Sequence, residues 1–106
     1  MPKFTYDNKN YVLTFTRETA KEAEKHGVTL EKKRYEELPL NSITALVTFS
    51  FKANHPEMSE DDCMQIYKNI SNKEDFIAAL LTDFSKTYET IMAEPDPKNA
   101  IKWESA

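Results

Sequence analysis

The clearest pattern in the chain is NKEDFIAALLTDFSKTYETIM, which spans residues 72–92. Its apolar side chains recur every three or four residues and cover roughly 140° of a helix at 100° per residue. Asn72 precedes Glu74 and Asp75, and acids in a first turn complement the positive end of the helix dipole. The pattern predicts an amphipathic helix over 72–92, whose buried stripe comprises Phe76, Ile77, Leu80, Leu81, Phe84, Tyr88 and Ile91.

Two further helices are predicted upstream. Ser59 and the three acids after it are typical of a helix start, and they predict a helix over 59–70 with Cys63, Ile66, Tyr67 and Ile70 buried. Residues 40–53 fit two interpretations, because residues 44–51 have both a helical stripe and a strand-like alternation. The length without a turn signal favours a helix over 40–53, capped by Asn41 or Ser42.

The N-terminal part predicts a hairpin and a short helix. Aromatic and aliphatic residues alternate on either side of Asp7-Asn8-Lys9-Asn10, which predicts a β-hairpin over 3–16 with a four-residue loop. Thr16 is placed to cap a helix over 17–26, and Gly27 is placed to end it.

These elements predict an α+β fold, an N-terminal β-hairpin followed by a bundle of about four helices. Residues 1–93 are expected to form a single domain with its core in the helices from 40 to 92 and the hairpin as a satellite. Residues 94–106 are expected to be a flexible acidic tail, because Pro95 and Pro97 interrupt the helical pattern.

Composition argues against most nucleotide-dependent chemistry. The 106 residues include one glycine, whereas dinucleotide fingerprints, P-loops and nucleophile elbows need at least two. Cys63 with His55 as its base is a weak catalytic candidate, since Cys63 lies in an apolar stripe. His26 is placed to stabilise a helix end, and Glu60-Asp61-Asp62 lacks calcium-loop spacing. We therefore expect no enzyme activity, no cofactor and no metal site.

Charge and hydropathy exclude other partners. Residues 1–53 carry a formal charge of +2 and residues 54–106 one of −6, so the second half should repel nucleic acid. The basic cluster Lys32-Lys33-Arg34 is flanked by glutamates and is expected to be a solvated loop. The longest apolar run, Ile77 to Leu81, is far shorter than the ~20 residues of a membrane span. With a lone cysteine and no signal-peptide pattern, we expect a cytoplasmic protein.

What remains is protein–protein interaction. Large aromatic side chains bury much area when a partner binds, and several lie where a core does not require them. The candidate partner-binding residues are Tyr6, Tyr11, Phe49, Ile101 and Trp103. Placement of Phe49 at the edge of the core and folding of Trp103 back onto the domain are equally compatible with the sequence. The hairpin could also pair with another subunit, which predicts a homo-oligomer.

The order of motifs resembles the small tail assembly chaperones of long-tailed phages and prophages of Gram-positive bacteria. The resemblance covers nearly the whole chain and rests on the hairpin from Lys3 to Thr16, the Thr16-Arg17-Glu18-Thr19 helix entry, Gly27, Phe51-Lys52-Ala53-Asn54-His55, Asn72-Lys73-Glu74-Asp75-Phe76 and the acidic tail with Trp103. It implies a protein of the bacterial host cytoplasm that binds the tape measure protein while the major tail tube protein assembles around it. The alternative is a small phage-borne or bacterial regulator that inhibits a host protein through its acidic helical face.

Overall fold

The computed structural model describes residues 1–29 and 38–105. In that part of the chain an antiparallel hairpin precedes four helices, which confirms the predicted α+β fold. The elements are β1 (Lys3–Tyr6), β2 (Lys9–Val12), α1 (Arg17–Lys25), α2 (Leu40–Lys52), α3 (Glu60–Tyr67) and α4 (Lys73–Met92). Residues 44–51 are therefore helical, and the strand alternative is wrong. The cluster Lys32-Lys33-Arg34 lies outside the described residues.

The hairpin turn is shorter than predicted. Asp7 and Asn8 form a two-residue loop, while Lys9 and Asn10 already belong to β2 and pair with Tyr6 and Thr5. Both loop residues have left-handed backbones, with φ of 52° and 63°. Asp and Asn tolerate this conformation, and left-handed angles at both positions give a turn that matches the twist of the strands.

The hairpin is part of the core, so its description as a satellite is wrong. Tyr11 and Leu13 are buried in the same apolar cluster as the helices. The Phe4 ring stacks on the Tyr11 ring at 5.4 Å and meets the edge of Phe51 of α2 at 6.1 Å. Because an isolated two-stranded hairpin is marginal in water, this contact with α2 is what stabilises it.

Two helix starts follow the sequence prediction. Thr16 and Ser59 each accept a hydrogen bond from the backbone N–H three residues on, and in each case that third residue bonds back to the cap. Gly27 ends α1 with φ of 106°, where the N–H of Val28 bonds to the carbonyl of Ala23. This is a Schellman motif, which requires a residue that tolerates a left-handed backbone.

Two other caps differ from the prediction. Asn72 precedes α4, but its backbone is left-handed and its amide donates to Asp75 Oδ2 instead of accepting from the helix. At α2, neither Asn41 nor Ser42 caps the helix, which begins after Pro39. Ser42 instead donates its hydroxyl to the Gly27 carbonyl at 2.8 Å, so it joins α2 to the end of α1.

The helices pack around α2, which contacts α1, α3 and α4. Its Phe51 side chain is fully buried, as are Leu46 and Val47. None of the helices in the described ranges combines the length and the apolar character that a membrane crossing requires.

Candidate protein-interaction surface

The last two turns of α4 present apolar side chains to solvent. Tyr88, Ile91 and Met92 are 47%, 50% and 63% exposed. We call these three residues the apolar end of α4. They follow Leu81 and Phe84, which are buried, at the spacing that places side chains on one helical face. The prediction that Tyr88 and Ile91 are buried is therefore wrong, because the apolar stripe continues beyond the core.

The segment after α4 carries two more exposed apolar side chains. Residues 94–105 contain no helix or strand, and each of them is exposed. Ile101 and Trp103 are 91% and 80% exposed. Neither folds back onto the domain, so two of the predicted partner-binding residues are accessible.

The two predicted tyrosines differ in accessibility. Tyr11 is buried between Phe4 and the His55 ring, whose centroid lies 5.0 Å away. Tyr6, directly before the turn, has an exposed side chain. Tyr11 therefore serves the core, and Tyr6 alone of the pair presents its ring to solvent.

Phe49 lies half-buried at the edge of α2. Its ring centroid is 5.3 Å from that of His26, and Lys52 Nζ lies 5.9 Å from it. The three side chains line an open cleft of about 660 Å³ between the end of α1 and α2. His26 Nδ1 is 2.8 Å from the Glu22 carbonyl oxygen, so this ring also satisfies the end of α1. Phe49 thus packs at the core edge and retains one accessible face.

The side chains considered for catalysis do not meet. Cys63 is fully buried, and its sulfur lies 4.0 Å from the Thr48 carbonyl oxygen. Burial raises the pKa of the Cys63 thiol to about 11, which disfavours the reactive thiolate. His55 instead contacts Tyr11 and lies 3.9 Å from Glu57. Within residues 1–29 and 38–105, no three His, Cys, Asp or Glu side chains gather as metal ligands.

Comparison with protein families gives a match over almost the whole chain. The family described as "Domain of unknown function (DUF5055)" matches residues 2–106. The chain belongs to this family. No curated protein and no solved structure matched it.

The apolar end of α4 in this DUF5055 domain was missed because periodicity gives the face of a residue and not whether a neighbour covers it. The lengths of the helices indicate which part of the stripe is left uncovered. At 1.5 Å per residue, α4 with 20 residues is about 30 Å long, whereas α2 with 13 residues is about 20 Å. Where a helix extends beyond the helix on which it packs, the end of its apolar stripe stays exposed.

The acidic start of α3 is the other notable surface of this DUF5055 domain. Glu60 and Asp61 are exposed in the first turn, while Asp62 bonds back to the Ser59 N–H at 3.2 Å. Acids here stabilise the positive end of the helix dipole, so the cluster has a structural role.

Proposed function

We propose that this DUF5055 domain is a non-enzymatic tail assembly chaperone of a long-tailed phage or prophage. It would bind the tape measure protein in the bacterial host cytoplasm and keep it soluble while the major tail tube protein assembles around it. The motif order along the sequence supports this family of functions, and the accessible apolar side chains support a protein partner.

The observation that carries the proposal is the exposure of the apolar end of α4. Ile91 and Met92 lie on a helix that the core already fixes, so binding loses little backbone entropy there. A long helical partner with its own apolar stripe can pack along such a face by the helix-in-groove mode.

The tail extends the same surface in a second way. Ile101 and Trp103 lie within twelve residues of the end of α4, and both side chains are exposed to solvent. An indole buries a large area when a partner covers it, and exposed segments of this kind order on binding. We assign Trp103 the role of an anchor that closes over a partner already lying on α4.

An alternative function is inhibition of a host protein through the acidic half. The exposed Glu60 and Asp61 at the start of α3 favour it, because a basic site would be attracted to them. The two functions use different faces, so substitutions separate them.

The test is co-expression with the tape measure protein that the proposal expects a neighbouring gene to encode. Alone, that protein should be insoluble, and the wild-type chain should raise its soluble fraction and co-purify with it. Ile91→Glu places a charge on the apolar end of α4 and should reduce both. Thr90→Glu adds the same charge at an exposed neighbouring position and is the matched control.

If the acidic face of α3 binds the partner instead, substitutions there and on α4 should have the opposite effects. Glu60→Gln with Asp61→Asn removes two charges and keeps the Ser59–Asp62 cap intact. If this variant loses the partner while Ile91→Glu keeps it, the chaperone assignment through α4 is wrong. That assignment is also wrong if Ile91→Glu and Thr90→Glu reduce the soluble fraction of the partner equally.

A further inference from the structure

The two outer edges of the hairpin are not equivalent. The outer edge of β2 is bonded to the helical body at its C-terminal end, since Asn54 Nδ2 donates to the Val12 carbonyl at 2.9 Å and, two residues on, the Thr14 N–H donates to the Ser50 carbonyl at 3.2 Å. Both partners lie at the C-terminal end of α2 or directly after it. The helical body therefore occupies that side of the hairpin from Val12 onwards.

The outer edge of β1 has no such cover. The Leu13 N–H bonds to the Pro2 carbonyl at 2.9 Å, and Phe4 is paired with Tyr11. Because hydrogen-bonded and non-hydrogen-bonded pairs alternate along an antiparallel ladder, Lys3 and Thr5 direct their N–H and C=O groups away from β2. Among the described residues these groups have no hydrogen-bond partner.

There is room beside this edge. A groove of about 340 Å³ runs along β1 and is bounded on the other side by Ile66, Ile70 and Phe76. Short edge strands with unpaired backbone groups are templates for pairing with another chain. The groove therefore leaves space for an extended segment to pair with β1.

We propose that β1 pairs antiparallel with β1 of a second copy of this chain, in the register that places Phe4 opposite Phe4. The result is a four-stranded sheet of order β2-β1-β1-β2 across a two-fold axis. This proposal concerns self-association and is independent of the partner proposed above.

The register follows from the backbone. With Phe4 on the axis, Lys3 of each copy faces Thr5 of the other, and the outward groups of these residues exchange four hydrogen bonds. A shift that pairs Lys3 with Lys3 opposes like charges. A shift that pairs Thr5 with Thr5 sets Lys3 against Asp7, which lies in the left-handed turn and cannot continue a ladder.

The side chains of the chosen register are complementary. Tyr6, which is exposed in the single copy, faces Pro2 of the second copy on the same side of the sheet as Phe4. Proline at the start of an edge strand is tolerated, and here its missing N–H lies on the side of β2. Because the contact uses the same β1 edge of both copies about a two-fold axis, assembly closes as a dimer.

Sedimentation equilibrium of the full chain over a concentration series tests this, with charge substitutions at Thr5. Thr5→Glu places a carboxylate opposite Lys3 of the second copy, and Thr5→Lys places an ammonium there. Opposed cross-strand charges contribute favourably, and each dimer contains two such pairs. Thr5→Glu should therefore tighten dimerisation at low salt by roughly threefold to tenfold, and Thr5→Lys should weaken it by a similar factor.

These expected changes in dimer affinity are opposite to those that net charge alone would cause. The chain carries −4, so an added glutamate increases and an added lysine decreases general repulsion between copies. Asn10→Glu and Asn10→Lys are the matched controls, because Asn10 faces Thr5 on β2 and lies away from the proposed contact. Circular dichroism checks that each variant is folded.

Dimers that tighten with Thr5→Glu and weaken with Thr5→Lys, and that change little or oppositely with the Asn10 variants, support the proposal. A wild-type chain that stays monomeric at high micromolar concentration overturns it. So do Thr5 variants that follow net charge in the same way as the Asn10 variants.

Discussion

The hydroxyl of Ser42 donates a hydrogen bond of 2.8 Å to the carbonyl oxygen of Gly27. This contact joins the first turn of α2 to the residue that ends α1, across the segment 30–37. Gly27 has φ of 106°, and a Cβ built there would lie 3.4 Å from Ser42 Oγ. The junction therefore depends on the backbone of one residue and the side chain of the other.

Gly27→Ala should destabilise the fold by roughly 1 to 2 kcal/mol, because L-residues with side chains rarely adopt a left-handed backbone. The measurement is urea unfolding followed by circular dichroism. Ser42→Ala, which removes the hydrogen bond and leaves Gly27 unchanged, should cost about 1 kcal/mol. Unchanged stability in Gly27→Ala would mean that α1 does not end through this glycine.

Leu13→Ala should cost about 2 to 5 kcal/mol, since Leu13 is fully buried and truncation leaves a cavity. Val12→Ala is the neighbouring control, because the Val12 side chain is exposed, and it should cost less than about 1 kcal/mol. Equal costs, or a loss of hairpin structure with the helices unaffected, would mean that the hairpin is a satellite after all.

Local signals in the sequence were sufficient for most element boundaries. Thr16, Ser59 and Gly27 act through hydrogen bonds to residues a few positions away, so the pattern around each is enough to assign its role. Alternation along the hairpin likewise indicated the shared side of Tyr11 and Leu13, which the structure buries.

Features that depend on distant parts of the chain were not predictable in the same way. Whether Tyr88 and Ile91 are covered depends on how far α2 extends beside α4, and that is a property of packing. Ser42 resembles a cap by residue type, yet its hydroxyl bonds to Gly27, fifteen residues earlier in the chain. The accessible part of the candidate site is thus split between Tyr6, Ile101 and Trp103, which the sequence predicted, and the apolar end of α4, which required the structure.

Asn72→Gly should leave stability unchanged or slightly higher, whereas Asn72→Ala should lose about 1 kcal/mol, because glycine adopts a left-handed backbone without the steric cost that alanine has. The backbone of Asn72 is left-handed, with φ of 55°, and its side chain accepts no bond from the helix. Thermal unfolding of both variants gives the comparison.

The reference for Asn72 is Ser59, which has an extended backbone and accepts from the Asp62 N–H. Ser59→Ala should cost about 1 kcal/mol and Ser59→Gly roughly a few tenths of a kcal/mol, so at this extended cap glycine remains less stable than the wild-type serine. If Asn72→Gly destabilises as much as Asn72→Ala, the left-handed start of α4 is not what selects asparagine.

The stability of the fold should fall more steeply between pH 9 and 11 in the wild type than in Cys63→Ala. Burial raises the pKa of the Cys63 thiol from 9.0 to about 11, so over that range the folded chain keeps a proton that the unfolded chain has lost. The contribution is complete below pH 9 and is lost as the pH rises towards 11. Urea unfolding at several pH values measures both slopes, and parallel curves for the two proteins would contradict the assignment.

Deletion of residues 95–106 should leave the thermal midpoint of the isolated chain nearly unchanged, because this segment is exposed throughout its described length. Trp103, the only tryptophan, should emit at the wavelength of an indole in water and be quenched freely by acrylamide. On addition of the partner the emission should shift to the blue, since a buried indole loses its contact with water. A midpoint lower by several degrees, or blue-shifted emission from the isolated chain, would place the tail in the fold and remove Trp103 as a binding anchor.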